Sequence, residues 1–249
     1  MIMYHFFAEH ENTFEEEGYI NIVGGDVNHI KNVLRLKIGD EVLISTGDNI
    51  DYSCLIDSLS DDLVRVSIKE KKEKTNELPI EVYLFQGLPK QDKMELIIQK
   101  CVELGMKGFY PVAMKRCIVK LDKKKADNKI KRWNDISLSA AKQSKRSIIP
   151  EVYNVLDFKD ALKEAGKLDK LILPYECADG MAHTKDVVNS IKPGDKVGIF
   201  IGPEGGFDRD ELDMAMEAGC EIVTLGKRIL RTETAGLMLM SVLMYNFEE

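Results

Sequence analysis

The sequence predicts an α/β protein, with a small and mostly β N-terminal part followed by a larger part in which strands alternate with helices. In the first seventy residues, apolar and polar residues alternate with a period of two, as in half-buried strands. Near-continuous apolar runs at 168–175 and 197–201 are typical of strands buried on both faces of a parallel sheet. Around these runs, apolar residues such as Met94, Ile97 and Ile98 recur at helical spacing.

The N-terminal part is predicted from its turns and its alternating segments. Residues 50–56 alternate between apolar and polar, and residues 64–68 repeat the pattern after the turn at 60–62. A short helix is expected over 26–36, before the turn at Gly39-Asp40. We interpret this part as a small β-barrel.

A polar segment without periodicity, residues 69–77, follows the barrel, and Pro79 comes directly after it. Polar residues followed by proline are typical of a domain boundary. We therefore predict a barrel over 1–72, a linker over 73–78 and an α/β domain over 79–249.

The second part alternates strands with helices. Its last predicted helix, residues 235–247, is apolar nearly all round and needs burial on several sides, so either a homodimer interface or a core position accounts for it. The other predicted elements are strands at 80–86, 109–113, 168–175, 197–201 and 222–225, and helices from Met94 to a cap at Gly105, over 125–145, and from a capping box at Asp208 to Gly219.

The bulk composition excludes several classes of protein. The five cysteines contain no CxxC pair and the four histidines lack ligand spacing, so we expect reduced thiols in the cytoplasm and no metal. The N-terminus lacks the pattern of a signal peptide, and no apolar stretch approaches the roughly 18 residues of a membrane helix. These observations predict a cytoplasmic protein without a membrane partner.

Charge is distributed unevenly along the chain. The net charge is −7, yet residues 115–146, called the basic segment below, hold 12 lysines and arginines against 3 aspartates. Because local fields steer polyanions, this local charge of +9 predicts a contact with nucleic acid. A solvated helix face is the alternative interpretation.

Two bends carry the chemistry. Gly202-Pro203-Glu204-Gly205-Gly206, the first bend, follows the apolar run 197–201, and residues 225–231, the second bend, follow the apolar run 222–225. Glycine lets a ligand approach the main chain, and the carboxyl ends of strands are where open α/β sheets bind ligands. Together the bends predict a small-molecule pocket beside a charged partner. The sequence lacks GxGxxG, GxxxxGK[ST] and GxSxG motifs, which removes the main support for dinucleotide, P-loop and hydrolase sites.

With these bends, the sequence resembles the SPOUT-class methyltransferases that methylate N3 of a uridine in small-subunit (16S) ribosomal RNA. The resemblance covers essentially the whole chain, with departures at His5 and Asn28. It rests on 29–35 with Gly39-Asp40, on Lys90 with 93–105, on 141–146 before Pro150, and most specifically on 201–207 and 225–235. It implies an N-terminal RNA-binding barrel similar to a PUA domain, a C-terminal α/β domain with a deep trefoil knot, a homodimer, and S-adenosylmethionine as methyl donor.

The chemistry of this reaction, the basic segment and the resemblance together predict roles for individual residues. Arg231 is the expected clamp on uracil or phosphate, with Arg228 assisting, and Glu233 either holds an arginine, accepts the proton or favours a helix dipole. The expected lining of the donor pocket is Leu173, Pro174, Ile201, Gly202, Pro203, Glu204, Gly205, Gly206, Leu225, Gly226, Ile229 and Leu230. The expected RNA contacts are Arg35, Lys90, Lys123, Lys124, Lys125, Gln143 and Arg146, with Gln143 and Arg146 placed on the long helix as candidates for the same pocket.

Two other functions remain open at this point. One is a SPOUT methyltransferase that acts on a ribose 2′-oxygen or on transfer RNA. The other is a non-catalytic RNA-binding or ribosome-assembly protein that retains the fold.

Overall fold

The computed structural model of the chain describes residues 3–72, 76–176 and 180–248. Its contacts divide the chain into two compact units, Met1–Glu77 with Ala141–Ile149, and Leu78–Ala140 with Pro150–Glu249. The sequence prediction did not include the grouping of residues 141–149 with the N-terminal unit. Residues 73–75 of the predicted linker, and Cys177, lie outside the described residues.

Across its described residues, the first unit holds a curled sheet of six strands. These are β1 (Tyr4–Phe7), β2 (Thr13–Phe14), β3 (Tyr19–Val23), β4 (Glu41–Ser45), β5 (Asp51–Leu59) and β6 (Leu63–Lys72), in the order β1-β4-β5-β6-β3-β2. The pairs are antiparallel except β1 with β4. Val64 and Val66 of β6 alternate with more exposed neighbours, as expected. In β5, however, Asp51 and Ser53 are buried, which the simple alternation did not predict.

The predicted helix over 26–36 is shorter than expected. Helix α1 (Gly25–Asn28) continues into a π-helical turn, His29–Val33, and buries Val27 and Ile30. Arg35 has a φ of 55°, in the left-handed region that ends a helix. The chain therefore leaves the helix before residue 36.

Polar contacts attach residues 141–149 to the first unit. Ser147 Oγ donates to Asp51 Oδ2 at 2.8 Å, and Ser45 Oγ donates to the other oxygen of Asp51. His5 Nε2 lies 2.7 Å from Ser45 Oγ, and burial lowers the pKa of His5. These bonds explain why Asp51 lies inside the unit, because a buried carboxylate needs donors. His5, one of the two departures from the family pattern, is buried beside these groups.

Among the described residues of the second unit, seven strands form one parallel sheet, as the continuous apolar runs predicted. The strands are β7 (Glu81–Gly87), β8 (Gly108–Ala113), β9 (Glu151–Val152), β10 (Leu156–Asp157), β11 (Lys170–Pro174), β12 (Lys196–Ile201) and β13 (Glu221–Val223). Their order is β10-β8-β7-β12-β11-β13, with β9 beside β8. The helices are α2 (Lys93–Glu103), α3 (Lys123–Ser144), α4 (Phe158–Ala165), α5 (Met181–Asn189), α6 (Arg209–Glu217) and α7 (Thr232–Phe247). The last four residues of α3 group with the first unit.

The last helix, α7, begins at Thr232, three residues before the predicted start. Arg231 is its N-cap, with an extended backbone. The helix packs on α2, β7 and β12 and buries Leu239 and Met240, whereas Tyr245 is 82% exposed. One face therefore occupies the core. In the described parts of the chain, no helix is both long enough and apolar enough to cross a membrane.

Candidate functional site

The order of the strands brings the two bends together. Strand β11 pairs with β12 on one side and with β13 on the other. The first bend follows β12 and the second follows β13, so only β11 separates them. Because neighbouring strands lie about 4.8 Å apart, the two bends begin about 10 Å from each other. Both lie at the carboxyl ends of parallel strands, where α/β sheets bind ligands.

A cleft of about 490 Å³ opens between the bends, within the range of ligand pockets. Its lining comprises the whole first bend; Leu225, Gly226 and 228–231 of the second bend; and Lys93, Arg116, Pro174, Tyr175, Glu176, Ile201, Phe207, Thr224, Thr232 and Ala235. Eleven of the twelve residues expected at the donor pocket are in this lining. Leu173 is absent from it because the residue is fully buried within β11.

Glycine fixes the course of the main chain in both bends. Gly206 has a φ of 67° and Gly226 has a φ of 111°, values that a side chain would make unfavourable. Each bend can therefore turn sharply beside the cleft, which leaves backbone atoms near the ligand space.

A chain of hydrogen bonds ties the start of α7, directly after the second bend, to the first bend. Thr232 Oγ1 donates to the carbonyl oxygen of Gly202 at 2.6 Å and accepts from Gln86 Nε2 at 2.8 Å. Gln86 is fully buried at the end of β7. The start of α7 is thus fixed against the ends of β7 and β12.

Lys93, at the start of α2, links the first bend to the first turn of α7 by charge. Its Nζ lies 3.1 Å from Glu204 Oε1 and 3.2 Å from Glu233 Oε2. The hydrogen bond to Glu204 raises the pKa of Lys93. Partial burial pushes the pKa of Glu204 upward, but hydrogen bonds from its own amide, from Lys93 and from the Lys90 amide outweigh burial and lower it. Lys93 therefore keeps its charge and neutralises one of the two carboxylates.

The second bend also carries two arginines that line the cleft. The side chains of Arg228 and Arg231 make no hydrogen bond or ion pair with any of the described residues, although the Arg231 carbonyl accepts the amide of Ala235. Ile229, between them, is 82% exposed. Two guanidinium groups and an apolar side chain are thus available to a ligand. Glu233 is outside the lining and reaches the cleft through Lys93.

Comparisons with known proteins match both parts of the chain. The profile of the RNA methyltransferase domain family matches residues 76–244, and that of the RNA methyltransferase PUA domain matches residues 24–69. The ribosomal RNA small subunit methyltransferase E of Bacillus subtilis (strain 168) is 38% identical over 241 residues, which cover 96% of this chain and 94% of the relative. The chain belongs to the ribosomal RNA small subunit methyltransferase E family.

Two solved structures support this membership. A ribosomal RNA small subunit methyltransferase E from Neisseria gonorrhoeae, bound to S-adenosyl methionine, is 30% identical with a TM-score of 0.83, covering 99% of this chain and 98% of that chain. A methyltransferase from Legionella pneumophila, in complex with the cofactor SAM, is 29% identical with a TM-score of 0.83 and the same coverage. The resemblance to a family of small-subunit ribosomal RNA methyltransferases is confirmed.

In this member of the family, most of the expected RNA contacts are exposed. Lys123, Lys124 and Lys125 form the first turn of α3. Lys90 is exposed beside the first bend, with its amide bonded to Glu204. Gln143 is exposed near the end of α3, and Arg35 is exposed in the first unit. None of these six lines the cleft. Their contact with RNA stays a prediction.

The prediction that Arg146 contacts RNA is wrong. Arg146 follows the end of α3, its side chain is 3% exposed, and its Nε lies 3.0 Å from each carboxylate oxygen of Glu77. A guanidinium held in this way inside a unit has no surface for an RNA phosphate. Periodicity along the helix could not show it, because Glu77 lies 69 residues away in the sequence.

Sequence reasoning missed several lining residues. Arg116 and Tyr175 follow β8 and β11, so their position just after a strand was a usable signal. The position of Lys93 in the sequence gave no such signal, because Lys93 reaches the cleft only through the packing of α2 beside the bends. In the described part of the chain, no group of three histidine, cysteine or acidic side chains is arranged to hold a metal.

Replacing Thr232 by valine should lower the free energy of unfolding by about 1–3 kcal/mol, because the buried Gln86 amide and the Gly202 carbonyl lose a partner. Urea denaturation of the full chain measures this. Thr232→Ser, which keeps the hydroxyl, should retain most of the stability. Thr234→Val, an exposed position in the same helix, is the matched control. Equal stability of Thr232→Val and the control would contradict the role of this bond.

Proposed function

We propose that this protein is an S-adenosylmethionine-dependent methyltransferase that methylates N3 of a specific uridine in small-subunit (16S) ribosomal RNA. One observation carries the proposal: the two glycine bends line a single cleft beside two unpaired arginines, in a chain of this family. The bends supply the place for a methyl donor, and the arginines supply the place for an RNA base.

The cleft has the properties that S-adenosylmethionine requires. Its volume suits a ligand of that size. Ile201, Leu225 and Leu230 offer apolar surface for an adenine ring, and the glycine bends leave backbone groups for its polar edge. When bound, S-adenosylmethionine supplies a methyl group activated by its sulfonium. The protein's part is to hold the target atom in line with that group, which can lower the barrier by roughly 7–11 kcal/mol.

The protein must also help uracil N3 to lose its proton. If N3 titrates two pH units above neutrality, ionisation costs about 3 kcal/mol, at 1.4 kcal/mol per unit. A fixed cation beside the uracil carbonyl oxygens stabilises the anion. We assign this role to Arg231, because its side chain lines the cleft without a partner among the described residues and it precedes the positive N-terminus of α7. Arg228 and Lys90 would assist, and Glu233 would position Lys93 or accept the proton.

The test is the product itself. Small-subunit RNA from a strain that lacks the enzyme is incubated with the protein and S-adenosylmethionine, then mapped by primer extension and nucleoside mass analysis. The expected product is 3-methyluridine at one position. A 2′-O-methylated nucleoside, or methylation of transfer RNA alone, would contradict this proposal. The protein would then be a methyltransferase that acts on a ribose 2′-oxygen or on transfer RNA. If calorimetry detected no binding of S-adenosylmethionine, a non-catalytic RNA-binding protein would be favoured.

The exposed lysines of the basic segment should bind the RNA backbone. Changing Lys123, Lys124 and Lys125 to glutamine should weaken RNA binding and reduce the salt slope of log K by up to about 0.7 per contact for a single strand. Binding titrations at several salt concentrations measure the slope. Lys159, Lys163 and Lys167, changed together, are the control, because they remove the same charge in and next to α4. An unchanged slope would remove Lys123–Lys125 from the interface.

The finer architecture is part of the same proposal. The N-terminal sheet would close into a PUA-like barrel over 1–72, a linker would span 73–78, and the domain over 79–249 would contain a trefoil knot. The partly exposed Met238 and Val242, with the exposed Tyr245, support a homodimer through α7. Sedimentation velocity tests it, and a monomer at micromolar concentration would contradict it. The expected location is the cytoplasm, where ribosomal RNA is found.

A further inference from the structure

We infer that Arg116 is the contact through which the basic segment holds an RNA phosphate at the cleft, next to the nucleotide that is methylated. This inference rests on the proposed function and adds a positioning residue to it. Among the residues described, Arg116 is the single member of the basic segment whose side chain lines the cleft. The exposed lysines at the start of α3 follow only seven residues later.

A buried carboxylate fixes the loop that carries Arg116. Glu211, 1% exposed, accepts the amide of Lys115 at 2.8 Å on one oxygen and the amide of Asp208 at 2.9 Å on the other. The loop after β8 is thereby attached to the N-terminus of α6. The backbone of Arg116 is therefore placed by the fold, without any ligand.

Arg116 lies directly on the first bend. A Cβ atom added at Gly205 would lie 3.1 Å from Arg116 Cβ and 3.3 Å from the Arg116 carbonyl oxygen. Gly205 is among the residues expected from the sequence to line the donor pocket. The structure gives a second reason for glycine at this position, because a side chain here would push the loop of Arg116 away by a few tenths of an ångström.

The guanidinium of Arg116 retains donors for a ligand. Its Nη1 donates to the Gly205 carbonyl at 3.2 Å, and its Nη2 lies 3.6 Å from Asp208 Oδ2. The side chain is half exposed. A guanidinium has five N–H donors in a planar fork that matches the oxygens of a phosphate.

The neighbouring Lys115 has the opposite environment. Its Nζ lies 3.0 Å from Asp208 and also pairs with Asp210. Two carboxylates therefore neutralise the lysine, which lies outside the lining of the cleft. Of the two adjacent cations, the structure leaves Arg116 for the RNA.

The arrangement places cations on both sides of the cleft. Arg116 contacts the first bend, whereas Arg228 and Arg231 belong to the second bend. A nucleotide that enters between the bends would meet Arg231 at its base and Arg116 at an adjoining phosphate. The strand would then continue toward Lys123–Lys125.

The experiment compares full-length Arg116→Gln, Arg116→Lys and Lys163→Gln with the wild type, on small-subunit RNA from a strain that lacks the enzyme. For Arg116→Gln we expect the KM for RNA to rise about tenfold and the salt slope of RNA binding to fall by about 0.7, as for one phosphate contact of a single strand. Affinity for S-adenosylmethionine, measured by calorimetry, should stay within about twofold of the wild type, because the altered contact is with phosphate. Arg116→Lys should keep the slope and recover part of the KM. Lys163→Gln, on α4, should behave as the wild type.

Two results would overturn the inference. One is an unchanged KM and salt slope in Arg116→Gln, and the other is a loss of affinity for S-adenosylmethionine as large as the loss for RNA, which would mean that Arg116 only supports the first bend. If the wild type itself leaves RNA unmethylated, the proposed function and the inference about Arg116 both fail. If the wild type is active and Arg116→Gln matches it, the inference about Arg116 alone fails.

Discussion

Arg231→Ala should lower kcat for methyl transfer by a factor of about 100–1,000, the usual effect of removing one fixed donor to a developing anion. Affinity for S-adenosylmethionine should change little, because the expected partner of Arg231 is the RNA base. Single-turnover transfer of a labelled methyl group measures the rate. Arg209→Ala, an exposed arginine on α6 paired with Asp213, is the matched control.

The pH dependence of this variant separates two roles for Arg231. If the arginine stabilises ionised N3, the deficit should shrink above the pKa of uracil, about two units above neutrality, because the base then ionises without help. If the arginine only binds phosphate, the deficit should appear in the KM for RNA at every pH. Near-full activity of Arg231→Ala with unchanged RNA affinity would refute both roles.

Arg146→Met should lower the free energy of unfolding of the first unit by about 3–5 kcal/mol, because the mostly buried carboxylate of Glu77 loses its charged partner and keeps only a neutral donor, the Ser147 amide. Urea denaturation followed by circular dichroism measures the loss. The double substitution Arg146→Met with Glu77→Leu should recover most of it, since two apolar side chains can replace a buried ion pair.

A surface pair provides the control for Arg146. Lys167 and Glu164 lie 2.6 Å apart, with side chains 68% and 39% exposed. Lys167→Met should therefore cost less than about 1 kcal/mol. Arg146→Met with full stability but weakened RNA binding would restore the original prediction that Arg146 contacts RNA.

Much of the fold could be predicted because it depends on local patterns. The alternation at 64–68 and the continuous apolar runs at 168–175 and 197–201 identified real strands, because burial on one or both faces of a strand leaves a recognisable pattern in the sequence. Irregular segments were harder to predict from the sequence. The helix over 26–36 ended early at a π-helical turn, and the burial of Asp51 depended on Ser147, nearly a hundred residues away.

The candidate site likewise has features that the sequence predicted and features that only the tertiary structure decided. The glycine bends, the adjacent apolar residues and the basic segment are contiguous in the chain, so the sequence alone determined their composition and the kind of ligand they suit. That the bends share one cleft was decided by the tertiary structure, because β11 pairs between β12 and β13. The structure also decided which cations remain available to a ligand: Arg116 lines the cleft, whereas Arg146 is buried against Glu77. The physical reason is that pairing between distant charges and strands depends on packing, which no local pattern encodes.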